Sequence, residues 1–166
     1  MAARNPPAGG SDAEIRRYMD GFAGVLTAAG LPRMPALVFV CLYTSEVESM
    51  TAAELAQRLD VSLAAISAAV RFLAPAGIIV RERPAGQRQD RFRVDADVWL
   101  NIMRQRDVAL AKWQEQIRNG VEVIGRDSMA GRRLDGSLAF FDFMRGELTD
   151  MLDRWEAGSD RRDQEA

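Results

Sequence analysis

The chain has 166 residues, of which 48% are apolar and 28% are charged, with a net charge of −2. This length predicts one domain, or one domain with helical extensions, and no apolar run reaches the ~18 residues that a membrane span needs, so we expect no membrane partner. Histidine is absent and cysteine occurs once, which excludes histidine-based metal sites, Ser–His and Cys–His nucleophiles and internal disulfides.

The N-terminal part predicts a flexible lead-in and two helices. Residues 1–10 are rich in proline, glycine and alanine and lack the features of a secretory signal, so we expect a disordered lead-in on a cytoplasmic protein. Ser11 and Glu14 form a capping box at the start of an amphipathic helix over residues 11–30. Pro35 suits the first turn of a second helix, although its nearly unbroken apolar content leaves a strand as the alternative.

Two short helices joined by a tight turn are predicted next. Thr51 and Glu54 form a second capping box, and Ser62 is placed to cap the following helix. Asp60 occupies the turn, because aspartate tolerates left-handed backbone better than most residues. The spacing predicts a helix-turn-helix whose second helix exposes Leu63, Ala64, Ser67, Ala68 and Arg71.

A β-hairpin is predicted after these helices. Pro75 and Gly77 end the second helix, and residues 78–83 have the composition of a strand. The turn carries Arg88 near its tip, and residues 90–94 return with apolar and basic side chains alternating. A hairpin in this position is a wing.

Residues 96–157 predict two long helices. Apolar residues recur at three- and four-residue steps from Asp97 onward and again after Ser128. A compact winged domain cannot cover these stripes together with that of the 11–30 helix, so we expect them to hold a homodimer. The alternative is a helical cap on a monomer. The charged residues 158–166 predict a disordered tail.

The predicted fold is mainly α with a small β-wing: a winged helix-turn-helix at residues 31–95 flanked by N- and C-terminal dimerisation helices. From Thr51 to Arg93 the chain carries seven arginines against four carboxylates, whereas the remainder is acidic. One basic segment on an acidic protein is typical of a surface that meets a polyanion. Solvated arginines without a binding role would produce the same pattern.

This order of elements resembles that of the MarR-type transcriptional regulators, and residues 31–155 fit their GbsR-like branch. The matching motifs are Thr51 to Leu59, Ser62 to Leu73, Gly77 to Val80 and Gly86 to Arg91. The resemblance implies a dimeric, sequence-specific regulator, most simply a repressor that occupies an operator, and for this branch it implies sensing of choline or glycine betaine. Two features depart from the pattern: Asp60 replaces the usual turn glycine, and the second helix is alanine-rich, which weakens direct base readout.

The predicted partner is double-stranded DNA with a pseudo-palindromic operator, because a two-fold dimer sets its recognition helices about 34–36 Å apart. Ser62, Ala64 and Ser67 are candidates for base edges, and Arg88 for a narrow minor groove, with Asp90 or Arg91 orienting or anchoring it. The full set of candidate DNA-contacting residues is Thr51, Ser62, Leu63, Ala64, Ser67, Ala68, Arg71, Arg88, Asp90 and Arg91.

Several aromatic side chains are candidates for a small-molecule effector site, since an aromatic cage binds a quaternary ammonium by cation–π attraction. They are Tyr18, Phe22, Trp99 and Trp113, with Phe140 and Phe143 as further members. Helical spacing explains the same residues as core. No cofactor or metal is expected.

Two other function classes fit parts of the sequence. A winged helix can act as a protein–protein module in a larger assembly, but the basic wing argues against this. Asp95 and Asp97 are candidates for paired catalytic carboxylates, although acidic residues before a helix simply favour its N-terminus. We therefore expect no enzymatic activity.

Overall fold

The computed structural model describes residues 11–86 and 88–164, with side chains up to residue 158. It forms two compact units, one ending at Val98 and one beginning at Trp99. The elements are α1 Asp12–Ala28, α2 Arg33–Tyr43, β1 Met50–Thr51, α3 Ala52–Leu59, α4 Leu63–Leu73, β2 Ile79–Glu82, β3 Arg91–Val94, α5 Val98–Ile124 and α6 Met129–Gln164. The prediction of a mainly helical fold with a small antiparallel sheet is confirmed.

Side-chain caps define the starts of the helices in the first unit. The Ser11 N–H donates to Oε2 of Glu14 at 2.7 Å and the Thr51 N–H donates to Oε2 of Glu54 at 2.6 Å, so both predicted capping boxes form. Asp60 ends α3 in the left-handed conformation at φ 53° and ψ 51°. The predicted helix-turn-helix is therefore present.

The core of the first unit is centred on α2, which is a helix and not the alternative strand. Its side chains from Val38 to Cys41 are at most 1% exposed, and they share the core with the fully buried Leu55, Ile66 and Leu73. Burial raises the pKa of the Cys41 thiol above its ordinary value. A protonated, inaccessible thiol acts here as a small apolar side chain.

The sheet has the order β1-β3-β2, and both pairings are antiparallel. The predicted hairpin is confirmed, with Arg81 opposite Phe92 and Ile79 opposite Val94. The sequence did not predict β1, because two residues are too few to show an alternating pattern. This strand joins the start of α3 to the wing, since Thr51 pairs with Arg91.

The second unit consists of the long helices α5 and α6. Gly125, at φ 83°, follows the end of α5, and Gly120 lies inside the helix. The Gly131 N–H donates to Oγ of Ser128 at 2.9 Å, so Ser128 caps α6. Helix α6 continues to Gln164, into the range that the sequence assigned to a disordered tail.

Two further predictions concern the N-terminus and the membrane. The predicted lead-in, residues 1–10, lies outside the described residues. Within the described residues, no helix has both the length and the apolarity that crossing a bilayer requires.

Candidate nucleic-acid interface

Helix α4 has the two faces that its spacing predicts. Ile66, Ala69, Val70 and Leu73 are buried, and the opposite face is exposed along its whole length. The exposed residues include Leu63, Ala64, Ser67, Ala68 and Arg71. This side of α4 offers short apolar groups, a hydroxyl and one guanidinium to a partner.

Two candidate hydroxyl groups are already engaged in helix caps. Oγ1 of Thr51 donates to Glu54 at 3.0 Å and accepts the Glu54 N–H at 3.2 Å, and Thr51 is buried. Hydrogen bonds from the Thr51 backbone N–H and then from its hydroxyl hold the pKa of the Glu54 carboxyl below its usual value. Oγ of Ser62 accepts the Ala65 N–H at 3.2 Å. Both residues therefore position helix starts.

A groove of about 440 Å³ separates α4 from the wing. One wall is formed by Ser67 and Arg71 of α4, and the other by Arg81 and Asp90 of the hairpin. The first residues of α3 close one side. The groove thus combines two guanidinium groups, a hydroxyl and a helix N-terminus, all of which favour an anion.

The Asp90 carboxylate pairs with two arginines that the sequence analysis did not select. Its Oδ2 accepts from Nε of Arg81 at 2.9 Å and from Nη2 of the same residue, and its Oδ1 accepts from Nε of Arg83 at 2.7 Å. Hydrogen bonds from Arg81 and then Arg83 hold the pKa of Asp90 below its ordinary value. The structure thus pairs Asp90 with Arg81 of β2 and with Arg83 just after this strand, and its expected role at Arg88 stays a prediction.

Arg91, the other residue expected to orient or anchor Arg88, has partners inside the first unit. Its guanidinium donates to Oγ of Ser49 at 2.8 Å and to the Ser49 carbonyl at 2.5 Å, and lies 3.6 Å from Glu54. The side chain therefore holds β3 against the segment before α3. Arg88 is exposed in the turn between the strands.

Strand periodicity is the signal that could have identified Arg81 and Arg83. Alternate residues of a strand share one face, so Ile79, Arg81 and Arg83 point the same way. Because Phe92 is opposite Arg81 and buried, that face is directed toward the domain and toward α4. The periodicity alone does not say which face of the hairpin is directed toward α4; that assignment requires the register in which β2 pairs with β3.

The candidate effector residues do not form one aromatic cage. In the first unit, Phe22 contacts Tyr18, Phe39 and Tyr43 with ring centroids 6.1–6.5 Å apart, so it belongs to an aromatic cluster of α1 and α2. In the second unit, Trp99 and Trp113 stand about 21 Å apart along α5 at a rise of about 1.5 Å per residue. A single ligand of ordinary size cannot contact both.

The candidate catalytic pair has a structural role. Oδ1 of Asp95 accepts the Asp97 N–H at 2.9 Å just before α5, as expected for a carboxylate near a helix start. Among the residues that the structure describes, no group of three metal-ligating side chains is close enough to hold a metal ion.

Comparison with known proteins agrees with this architecture. The family model of the MmpR5-like MarR family transcriptional regulators matches residues 97–158. The HTH-type transcriptional regulator MmpR5 of Mycobacterium tuberculosis is 26% identical over 147 residues, which cover 88% of this chain and 89% of the relative. A solved structure of a transcriptional regulator is 26% identical with a TM-score of 0.78, over 87% of this chain and 99% of that one. Over most of its length the chain is therefore similar to MarR-type winged helix-turn-helix transcriptional regulators, and these relatives are regulators and not enzymes.

Proposed function

We propose that the protein is a dimeric, sequence-specific repressor that acts in the cytoplasm by occupying a pseudo-palindromic operator. The observation that carries this proposal is the exposed face of α4 beside a basic wing, with the apolar face of the same helix buried. A helix so presented enters the major groove with its N-terminal half against the bases. The wing then reaches the adjacent minor groove.

In this proposal the protein recognises its operator through the shape of the DNA more than through base-specific hydrogen bonds. Leu63, Ala64 and Ala68 offer apolar contacts to thymine methyl groups, which discriminate less than a bidentate arginine–guanine pair. Ser67 is the exposed hydroxyl of this face. Narrow minor grooves attract an inserted arginine, and Arg88 has the position for it.

The test of DNA binding is the replacement Arg88→Ala. We expect a weaker affinity for a duplex that the wild-type protein selects from random-sequence DNA, and a salt dependence lower by about one ion per chain, because fewer counterions are released. Electrophoretic mobility shift at several salt concentrations measures both. If the wild-type protein enriches no DNA sequence, specific DNA binding is refuted. If Arg88→Ala changes neither the affinity nor the salt dependence, Arg88 and the wing tip do not contact DNA.

Homodimerisation is proposed from the apolar side chains that α5 and α6 leave exposed. Trp113 is 60%, Phe143 67% and Val123 86% exposed, and exposed apolar surface of this extent on long helices marks an interaction surface. We expect sedimentation at micromolar concentration to give about twice the 18.4 kDa chain mass. Phe143→Arg should shift the equilibrium toward the monomer, and a monomeric wild-type protein would exclude the two-half-site operator.

We also propose that a small apolar or quaternary-ammonium effector weakens operator binding, as expected of the GbsR-like branch. The indole ring of Trp113 supports this proposal, because it is half-exposed and such cations prefer aromatic π faces. A regulatory ligand must bind the free and DNA-bound proteins with different affinities. Tryptophan fluorescence titrations with choline and glycine betaine should therefore give different affinities in the two states, and identical affinities would exclude regulation by these ligands.

A further inference from the structure

We propose that the groove between α4 and the wing seats the DNA backbone, with Arg71 and Arg81 as its phosphate ligands and Asp90 as the residue that positions Arg81 and Arg83. This inference rests on the proposed function, because it takes double-stranded DNA as the ligand. It adds Arg81 to the candidate DNA contacts, assigns a phosphate to Arg71, and makes Asp90 a positioning residue.

The first step is the geometry of the two DNA grooves. When a recognition helix lies in the major groove and a wing lies in the adjacent minor groove, the sugar–phosphate strand between these grooves must cross the protein between helix and wing. In this chain that surface is the groove of about 440 Å³. Any DNA bound by both elements therefore passes over it.

The second step is the chemistry of the groove walls. Arg71 is exposed on α4, and Arg81 faces it from β2 with a side chain 58% exposed. Ala52 and Ala53 open α3 and line the same groove, where the N–H groups of a first helical turn favour an anion. The site thus offers donors to phosphate oxygens from both walls and from one end.

The third step is the arrangement of the arginines by Asp90. Each carboxylate oxygen engages one guanidinium along its Nε–Nη2 edge, at 2.7 Å for Nε of Arg83 and 2.9 Å for Nε of Arg81. The remaining N–H groups of each planar guanidinium stay available for a phosphate. Two arginines against one carboxylate leave an excess positive charge, and both side chains are held before DNA arrives.

Positioning and simple electrostatics predict opposite effects of removing the Asp90 charge. A carboxylate beside DNA repels phosphates, so its removal would tighten binding if charge alone mattered. If Asp90 holds the arginines in place, its removal frees long side chains whose ordering must then accompany binding, and affinity falls. The sign of the change therefore separates the two roles.

The experiment uses the full chain and a duplex of about 30 base pairs that the wild-type protein selects from random-sequence DNA, enough for two half-sites one helical turn apart with flanks. Dissociation constants are measured by fluorescence anisotropy over a range of salt concentrations. We expect Arg81→Ala to raise the dissociation constant about ten-fold and to lower the salt slope by about one per chain. Arg71→Ala should behave in the same way.

Asp90→Asn should raise the dissociation constant about three-fold in the wild-type background. In the Arg81→Ala/Arg83→Ala background it should cause no further loss, since the arginines that it positions are absent. Arg81→Lys keeps the charge but not the two-point edge contact, so we expect a wild-type salt slope with a raised dissociation constant.

The matched control is Arg93→Ala, on the opposite face of the same hairpin, where Arg93 donates to Glu82 at 2.6 Å. Its salt slope should equal that of the wild type. Tighter binding by Asp90→Asn, or an unchanged slope for Arg81→Ala while Arg88→Ala lowers it, would overturn this inference and leave the proposed function intact. A wild-type protein that selects no duplex would instead refute the proposed function. Thermal unfolding of each variant separates loss of fold from loss of contact.

Discussion

Replacing Gly131 with alanine is expected to destabilise the second unit by about 3 kcal/mol or more, at the upper end of overpacking costs. A β-carbon at this position would lie 1.9 Å from the carbonyl oxygen and 2.8 Å from the carbonyl carbon of Gly125. Both atoms belong to backbone, so the turn between α5 and α6 would have to move. Urea unfolding followed by circular dichroism measures the change in the free energy of unfolding.

Gly136→Ala is the matched control for this substitution, since Gly136 lies in the same helix and a β-carbon added there would meet nothing within 4 Å. Alanine there should stabilise the protein by up to about 1 kcal/mol, because glycine is the poorer helix former. The two variants make the same chemical change with opposite expected signs. Equal stabilities would show that α6 does not approach the Gly125 carbonyl.

Replacing Arg145 with methionine is expected to lower the free energy of unfolding by about 1.5–3 kcal/mol, the range for hydrogen bonds to charged groups. Arg145 Nε and Nη2 donate to the two oxygens of Asp107 at 2.7 and 3.0 Å, and Nη1 donates to Oε1 of Gln114 at 2.8 Å. Gln114 is only 5% exposed, so its carbonyl would lose its donor inside the helix pair. Denaturant unfolding measures the loss.

Arg104→Met is the control for the loss of an arginine from the same helix pair. Arg104 pairs with Glu156, and their side chains are 53% and 36% exposed, respectively. Such surface pairs contribute about 0–1 kcal/mol to stability. The double variant Arg145→Met/Asp107→Leu should recover part of the Arg145→Met loss, because no unpaired carboxylate remains. A loss no larger than that of Arg104→Met would show that the partly buried contacts of Arg145 contribute no more than a surface pair.

The same pair predicts a dependence of stability on pH. Hydrogen bonds from Arg145 hold the pKa of Asp107 below its ordinary value of about 3.9. The stabilisation is therefore fully present above the unfolded-state pKa, and it is lost as the pH falls through the folded-state pKa. Wild-type stability should decline more steeply below pH about 4 than that of Arg145→Met, and parallel curves would assign the decline to other groups.

Features that depend on residues a few positions apart could be predicted from the chain alone. The capping boxes at Ser11 and Thr51 form because each hydroxyl and its glutamate are three residues apart. The turn at Asp60 and the exposed face of α4 follow from local backbone preference and helical periodicity. The winged helix-turn-helix was therefore predictable in its elements and their order.

The partners of charged side chains required the tertiary structure. Arg91 contacts Ser49, which is 42 residues away, and Arg145 contacts Asp107 across 38 residues. Asp90 likewise pairs with Arg81 and Arg83 because of the register of the two strands, which the tertiary structure sets. Sequence periodicity assigns a side chain to a face, but it does not say which of several arginines on that face meets a given carboxylate.

Apart from β1 and the choice between helix and strand for α2, the sequence by itself determined the order and type of the elements. It also determined the exposed face of α4 and the basic character of the wing, because hydrophobic periodicity and side-chain caps act over a few residues. Only the tertiary structure decided that β1 joins the wing, that Gly131 lies against the Gly125 carbonyl and that Asp90 pairs with Arg81 and Arg83. Each of these depends on the distance between segments that are separate in the chain, and packing and register set that distance.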